Sequence, residues 1–186
     1  MRGVEDPTAE GVAEHGQRAA SRPPAGRLTE WLTREGVRVS PSGDAQILID
    51  EGEAVHTVSE RGGVWTVQTR VRDDDRGPVV RSARWEDIER FVMMVYFSTI
   101  RRKHGLSPVG PLARAAADGS TGAADGYSIS PDPAGGVTLI APDGRTVWFT
   151  RDIQAAAFSR YDKFTADELR AQATTLEAAL AERAGA

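Results

Sequence analysis

Apolar and polar positions alternate along this chain in two distinct rhythms. Leu28, Trp31 and Leu32 recur at helical spacing and Gly36 follows as a natural stop, which predicts a short amphipathic helix at the start of the fold. Short strand patterns come next: Val37–Ser40, Gln46–Asp50, Val55–Glu60 and Val64–Val71. The last two flank Gly62-Gly63, a glycine pair that can take positive φ at both turn positions, so they read as a hairpin. In Val64–Val71 one face carries Trp65, Val67, Thr69 and Val71 and the other Thr66, Gln68 and Arg70, the pattern of a half-buried antiparallel strand. Asp73-Asp74-Asp75-Arg76-Gly77 reads as a polar turn, and Pro78–Ala83 as the returning strand.

Trp85–His104 is the strongest element. Ser82 is the expected N-cap; Glu86, Asp87 and Glu89 complement the positive end of the dipole, and Arg101, Arg102 and Lys103 the negative end, before Gly105. Ile88, Phe91, Val92, Val95, Tyr96 and Ile100 form a stripe that Met93, Met94 and Phe97 widen almost to the full circumference. A helix apolar on nearly all sides is buried on nearly all sides, here between a sheet and a second layer or subunit.

After a small-residue stretch at 107–125, with one helical turn expected at Leu112–Ala117, strand patterns return at Tyr127–Ser130, Val137–Ala141 and Thr146–Phe149. The last two are joined by Pro142-Asp143-Gly144-Arg145, where proline sets φ and glycine accepts positive φ. Asp152 is placed to cap a helix through Arg160. Thr165-Ala166-Asp167-Glu168 is a capping box opening a helix that carries Leu169, Ala173, Leu176 and Leu180 to about Arg183. Gly36-Val-Arg-Val-Ser-Pro41 is echoed by Gly126-Tyr-Ser-Ile-Ser-Pro131. The fold class that follows is α+β: antiparallel β meanders with a long buried central helix and a C-terminal helix, in an order compatible with two β-α half repeats. The expected organisation is a disordered tail over 1–26 and one domain over 27–186, divided into a first half (27–106), a linker (107–125) and a second half (126–186).

Composition narrows the chemistry. There is no cysteine, which removes disulfides, thiolate metal sites, a cysteine nucleophile and iron–sulfur clusters. The formal net charge of −4 disfavours a general duplex-binding role. No secretory h-region is present, and the longest apolar run, Phe91–Phe97, is far short of the roughly 20 residues that span a bilayer. The expected location is the cytoplasm. Lys103 and Lys163 are the sole lysines; an Arg-, Ala- and Gly-rich usage fits a high-GC bacterium of the actinobacterial kind.

Candidate catalytic groups are sparse. Asp73, Asp74 and Asp75 are consecutive, whereas acid–base pairs need opposed carboxylates in environments that separate their pKa values. His15, His56 and His104 have no metal-ligand spacing, no serine sits in a GxSxG elbow, and neither GxGxxG nor GxxxxGK[ST] occurs. Trp31, Trp65, Trp85 and Trp148 read as packing residues, and Arg101-Arg102-Lys103 as a helix-end charge set. No cofactor, metal or small-molecule substrate is expected. Elimination leaves binding as the function.

The order of landmarks then carries a resemblance. The strand Val64-Trp65-Thr66-Val67 leads to the helix Trp85-Glu-Asp-Ile-Glu-Arg-Phe91 and on to Ile100-Arg-Arg-Lys-His-Gly-Leu-Ser-Pro108; Ala157-Phe-Ser-Arg-Tyr161 and Thr165-Ala-Asp-Glu-Leu169 follow. Over roughly residues 27–182 this resembles the bacterial immunity-protein family that includes the antitoxins of tuberculosis-necrotizing-toxin-like NAD+ glycohydrolases. The N-terminal tail departs from the family's start, and the Asp73–Arg76 turn has no residue-by-residue match. The resemblance implies a non-catalytic inhibitor of a polymorphic toxin system that binds one cognate toxin and occupies its catalytic cleft. A cleft that holds an anionic dinucleotide carries basic side chains, so Asp73, Asp74 and Asp75 are expected to pair with them, with Arg76 and Gly77 reaching the floor. One turn is too small for a standard interface of about 1,600 Å². Arg70, Arg72 and the 142–145 turn are therefore expected to join. The alternative is a scaffold or secretion-chaperone protein that binds a partner through the apolar Phe91–Phe97 helix. An enzyme would need a site assembled from scattered Asp, Arg and Ser residues that no motif announces.

Overall fold

The computed structural model describes residues 25–42, 45–50, 52–72, 74–108 and 122–175. Helix α1 (Ala25–Arg34) begins inside the stretch read as a tail, because Ala25 is already buried; the rest of that tail lies outside the described residues. Leu28, Trp31 and Leu32 bury one face against the core. Gly36, at φ 78°, ends the helix in a Schellman motif: its N–H donates to the Thr33 carbonyl (2.9 Å) and that of Val37 to the Leu32 carbonyl (2.9 Å).

Five strands then run as one meander: β1 (Arg38–Ser42), β2 (Ala45–Asp50), β3 (Ala54–Arg61), β4 (Val64–Val71) and β5 (Asp74–Ser82). Gly62 and Gly63 take φ of 59° and 79°, as a two-residue type I′ turn requires. A second meander comprises β6 (Ser128–Pro131), β7 (Val137–Ile140) and β8 (Thr146–Phe149). The two meet where β5 pairs with β8, Val80 opposite Phe149 and Arg81 opposite Trp148. The result is one antiparallel sheet of eight strands, in the order β1-β2-β3-β4-β5-β8-β7-β6. The two segments that echo each other in sequence form β1 and β6, the first strand of each meander and the two edges of the sheet.

Ile47, Ile49, Val58, Val67, Val80, Leu139 and Phe149 line the sheet face that joins the core. Helix α2 (Trp85–Lys103) lies against β4 and β5 on that face. Helices α3 (Asp152–Tyr161) and α4 (Ala166–Thr174) cover its other side. Phe91 meets Phe149 at a tilt and Phe97 meets Tyr161 edge-on, with ring centroids 6.1 and 5.4 Å apart. The expected second layer is therefore supplied by the chain's own C-terminal helices, and the all-round apolar character of α2 is used up inside the fold.

Several local expectations are corrected. The acidic run is not an open turn: Asp74 to Gly77 belong to β5, with Asp75 opposite Arg70 and Pro78 opposite Gln68. The register shifts there, so that Arg76 and Gly77 together stand opposite Thr69 in a bulge that Gly77, at φ 68°, accommodates. Ser82 is the last residue of β5 and not the cap of α2; Arg84 takes the N-cap position without a side-chain bond. Asp152 is the first residue of α3, behind an N-cap at Arg151. Helix α4 stops at Thr174, with Thr175 extended; Leu176, Leu180 and Arg183 lie outside the described residues, as does Leu112–Ala117. The capping box is present as read: the Thr165 hydroxyl accepts from the Glu168 N–H (3.2 Å) and the Glu168 carboxylate from the Thr165 N–H (2.7 Å).

Candidate functional site

Strand alternation distributes the predicted site residues over two faces of the β4–β5 end. Asp75 points to the outer face, away from the helices. There Gln68 Nε2 donates to its carboxylate oxygens (3.0 Å each) and the backbone N–H of Gly77 to Oδ1 (2.9 Å). The Gln68 bond first, then the Gly77 N–H and the nearby Arg70 charge, hold the Asp75 carboxyl below its usual value. Arg70 and Asp75 border a shallow outer hollow of about 230 Å³ together with Leu48, Val55 and Thr57. Asp74 and Arg76 fall on the opposite side, 3.5 Å apart as an exposed pair.

The turn between the strands is braced from outside. Arg72 takes a positive φ of 54°, its N–H donates to the Glu53 carbonyl (2.8 Å), and its guanidinium pairs with the Glu53 carboxylate at 3.1 Å. Asp73 lies outside the described residues. The predicted single acidic tip is thus a two-sided blade of alternating charge. Arg70 and Asp75 lie on one side, Asp74 and Arg76 on the other, with Arg72 at the end and Gly77 in the bulge. On the helix side, Arg76 rims a cleft of about 240 Å³ that reaches between the sheet, α2 and the start of α3. His56 Nδ1 and Thr69 Oγ1, 2.9 Å apart, line its inner wall.

A second constellation escaped sequence reasoning. Asp87, in the first turn of α2, is fully buried. The Ser82 hydroxyl donates to its Oδ2 (2.5 Å), and Arg145 from the β7–β8 turn donates to its Oδ1. Arg145 also bonds Asp162, just beyond α3, which accepts from the Tyr127 hydroxyl (2.9 Å) and pairs with Arg90 at 3.3 Å. Burial raises the Asp87 carboxyl above its usual value, although the Ser82 bond and the Arg145 charge oppose that rise. Burial also works against the Arg145 charge, but the Asp87 and Asp162 carboxylates outweigh it and raise the guanidinium's pKa. The cluster has two carboxylates and two guanidiniums, each partnered, so it welds the first meander's helix to the second meander. An acid in the first turn of the most apolar helix was the available signal; dipole complementarity explained it too readily.

The remaining candidates are structural. His104 Nε2 lies 2.7 Å from the Glu35 carboxylate and Lys103 Nζ donates to the Glu35 carbonyl, so the end of α2 is tied to the end of α1. Arg101 is buried and donates to the carbonyls of Ser107 and Gln172. Trp31 and Trp85 are buried; Trp148 is half-exposed on the outer face, beneath the Arg81 guanidinium at 4.5 Å. Among the described residues no group of three histidines or carboxylates is placed to hold a metal ion, and no helix is long and apolar enough to cross a membrane.

Residues 31–177, from the last turns of α1 to just past α4, match the family described as Immunity protein 61. The chain belongs to that family. Immunity protein 61 membership gives it the role of an antitoxin, and the span that matches contains both the β4–β5 blade and the buried ion cluster. Among solved structures, Rv3902c from M. tuberculosis has the same fold, with a TM-score of 0.62 at 18% identity over 82% of this chain and 90% of that one. No curated protein matches the chain. The motif Ala157-Phe-Ser-Arg-Tyr161 that carried the resemblance has a packing explanation in this Immunity protein 61 member. Phe158 and Tyr161 are fully buried, and Ser159 accepts from the Ala124 N–H (2.8 Å) while donating to the Ala156 carbonyl (2.7 Å). It pins the strand-leading segment of the second meander onto α3.

Proposed function

We propose that this immunity protein neutralises a cognate secreted toxin in the cytoplasm by seating the β4–β5 blade in the toxin's catalytic cleft, one copy per toxin. The toxin on this reading is an NAD+ glycohydrolase. The observation that carries the reading is the blade itself. Arg70, Arg72, Asp74, Asp75 and Arg76 project from a sheet end that the bulge at Gly77 and the Glu53 contacts hold in shape, and Asp74, Arg72 and Arg76 keep most or about half of their side-chain surface exposed (73%, 75% and 54%). Charges held in a fixed pattern select a complementary partner and speed its docking. Asp73 and the 142–145 turn belong to the same proposed interface. The chain acts by occupancy and needs no cofactor, metal or turnover of its own. The scaffold alternative loses its surface, because α2 is covered on both sides by the chain itself.

The test is inhibition of NAD+ hydrolysis by the purified cognate toxin domain. The wild-type chain is expected to titrate the toxin at a one-to-one ratio. The Asp74→Ala/Arg76→Ala double variant is expected to lose at least about tenfold in potency, as truncating paired interface charges does. Unchanged potency removes the blade from the account, and no inhibition by the wild-type chain removes the toxin class.

A further inference from the structure

The cleft on the helix side of the blade has a composition that specifies its occupant. Its floor is mainly hydrocarbon, from Val71, Val79, Phe91 and Val95, with the His56–Thr69 pair on the inner wall. Its rim is cationic. Arg76 comes from the β5 bulge and Arg151 from the N-cap position of α3. Arg76 has Asp74 at 3.5 Å, but Arg151 is exposed and has no carboxylate at ion-pair distance among the described residues. The neighbouring Asp152 carboxylate accepts from the N–H of Ile153 (2.7 Å). Gln154 lines the same cleft one turn into α3, and its Oε1 is buried without a hydrogen-bond partner among the described residues. A buried, unbonded amide group is costly, and turned over it offers N–H groups instead.

These features make a consistent demand. The floor asks for an apolar group, the rim for an anion, and Gln154 for a polar atom within reach. The Arg151 guanidinium, without a carboxylate partner among the described residues, favours a planar carboxylate, with the Arg76 charge beside it on the rim, and the positive end of α3 favours the same charge. The volume of about 240 Å³ holds one or two side chains, not a nucleotide. We propose that this cleft receives an Asp or Glu side chain of the partner toxin, presented beside an apolar residue that covers the valine and phenylalanine floor. The proposal rests on the reading that the partner is a toxin protein, and it adds a socket of opposite polarity next to the acidic groups of the blade. Anion-seeking and cation-seeking points side by side fix the partner's orientation in a way that one charge sign cannot.

The experiment is calorimetric titration of the full chain with the catalytically inactivated cognate toxin domain. It uses two variants that lie outside the blade. Arg151→Glu reverses the rim charge at an exposed side chain, and Gln154→Glu places a like charge against the incoming carboxylate without changing shape. Each is expected to raise Kd at least about tenfold, with Arg151→Lys recovering most of the loss, and each keeps the wild-type circular dichroism spectrum. Wild-type binding together with Kd values within twofold for both glutamate variants overturns the socket and leaves the proposed function standing. Absence of wild-type binding overturns the proposed function, and the socket with it.

Discussion

Single residues in this protein are constrained by what lies within a few ångströms, more than by their own propensities. Gly136, at φ 83°, sits under Trp148; a Cβ there would lie 2.4 Å from the Phe149 carbonyl and 2.9 Å from the indole. Gly136→Ala is expected to destabilise by about 1–3 kcal/mol, the cost of one strained backbone position. Denaturant unfolding checks the cost, and Trp148 fluorescence should report its displacement. Arg145 is constrained by charge. Without it, Asp87 and Asp162 face each other with Arg90 as the remaining cation of the cluster. The Asp87 carboxyl, already raised by burial, rises further. A carboxyl whose folded pKa lies above its unfolded value costs stability at higher pH, and that cost disappears as pH falls through the folded value toward about 3.9. Arg145→Gln is therefore expected to cost about 3 kcal/mol at neutral pH, the scale for breaking a buried ion pair, with the gap to wild type narrowing on acidification. A gap that stays constant from pH 7 to pH 4.5 rejects this account of Asp87.

Elements follow local rules where the relevant partners are close in sequence. The Thr165–Glu168 box was legible because both of its hydrogen bonds close within four residues; Thr165→Ala is expected to lose about 1 kcal/mol by thermal or urea unfolding. Glu168 adds a pH sign to that box. The Thr165 backbone N–H, and then its hydroxyl, hold the carboxyl below its usual value, so the stability it contributes is lost as pH falls through that depressed value. The N-cap of α2, Arg84, falls two residues after the expected Ser82 because Ser82 still belongs to β5: its hydroxyl donates to the Asp87 carboxylate five residues on, while its oxygen accepts from the Arg84 N–H (3.0 Å). Burial of α2 was correctly expected from its period. Phe97 is fully enclosed between the sheet layer and Tyr161, and Phe97→Ala is expected to cost about 3–5 kcal/mol. A much smaller loss, with the fold intact, would mean that this side of α2 is looser than its packing implies.

At the scale of the whole molecule, the described residues form one uninterrupted antiparallel sheet with their helices on a single face, so the charged blade, the outer hollow and the rimmed cleft all converge at one end of β4 and β5. Docking by such a patch is expected to be steered electrostatically. Its association rate with the toxin should fall as salt rises from 50 to 500 mM, and the Asp74→Ala/Arg76→Ala variant should show a weaker dependence in stopped-flow mixing. The sequence by itself determined the elements and the class. Periods of two and 3.6, glycine turns and helix stops are recorded in neighbouring residues, so the eight strands and four helices of the described residues were readable, most of them to within a few positions, although α4 ends at Thr174, well before its expected end near Arg183. The family, too, was legible, through the Trp85–Phe91 and Ala157–Tyr161 segments. Only the tertiary structure decided that the two meanders share one sheet through β5 and β8. It alone brought Asp87, Arg145 and Asp162 together, set Arg76 and Arg151 on one cleft, and split Asp74 from Asp75 across the sheet. The physical reason is range. Strand pairing and buried ion pairs join residues 58 to 72 positions apart, as with Arg145–Asp87 and Arg90–Asp162, and no local pattern of hydrophobicity or charge encodes which distant partner is chosen.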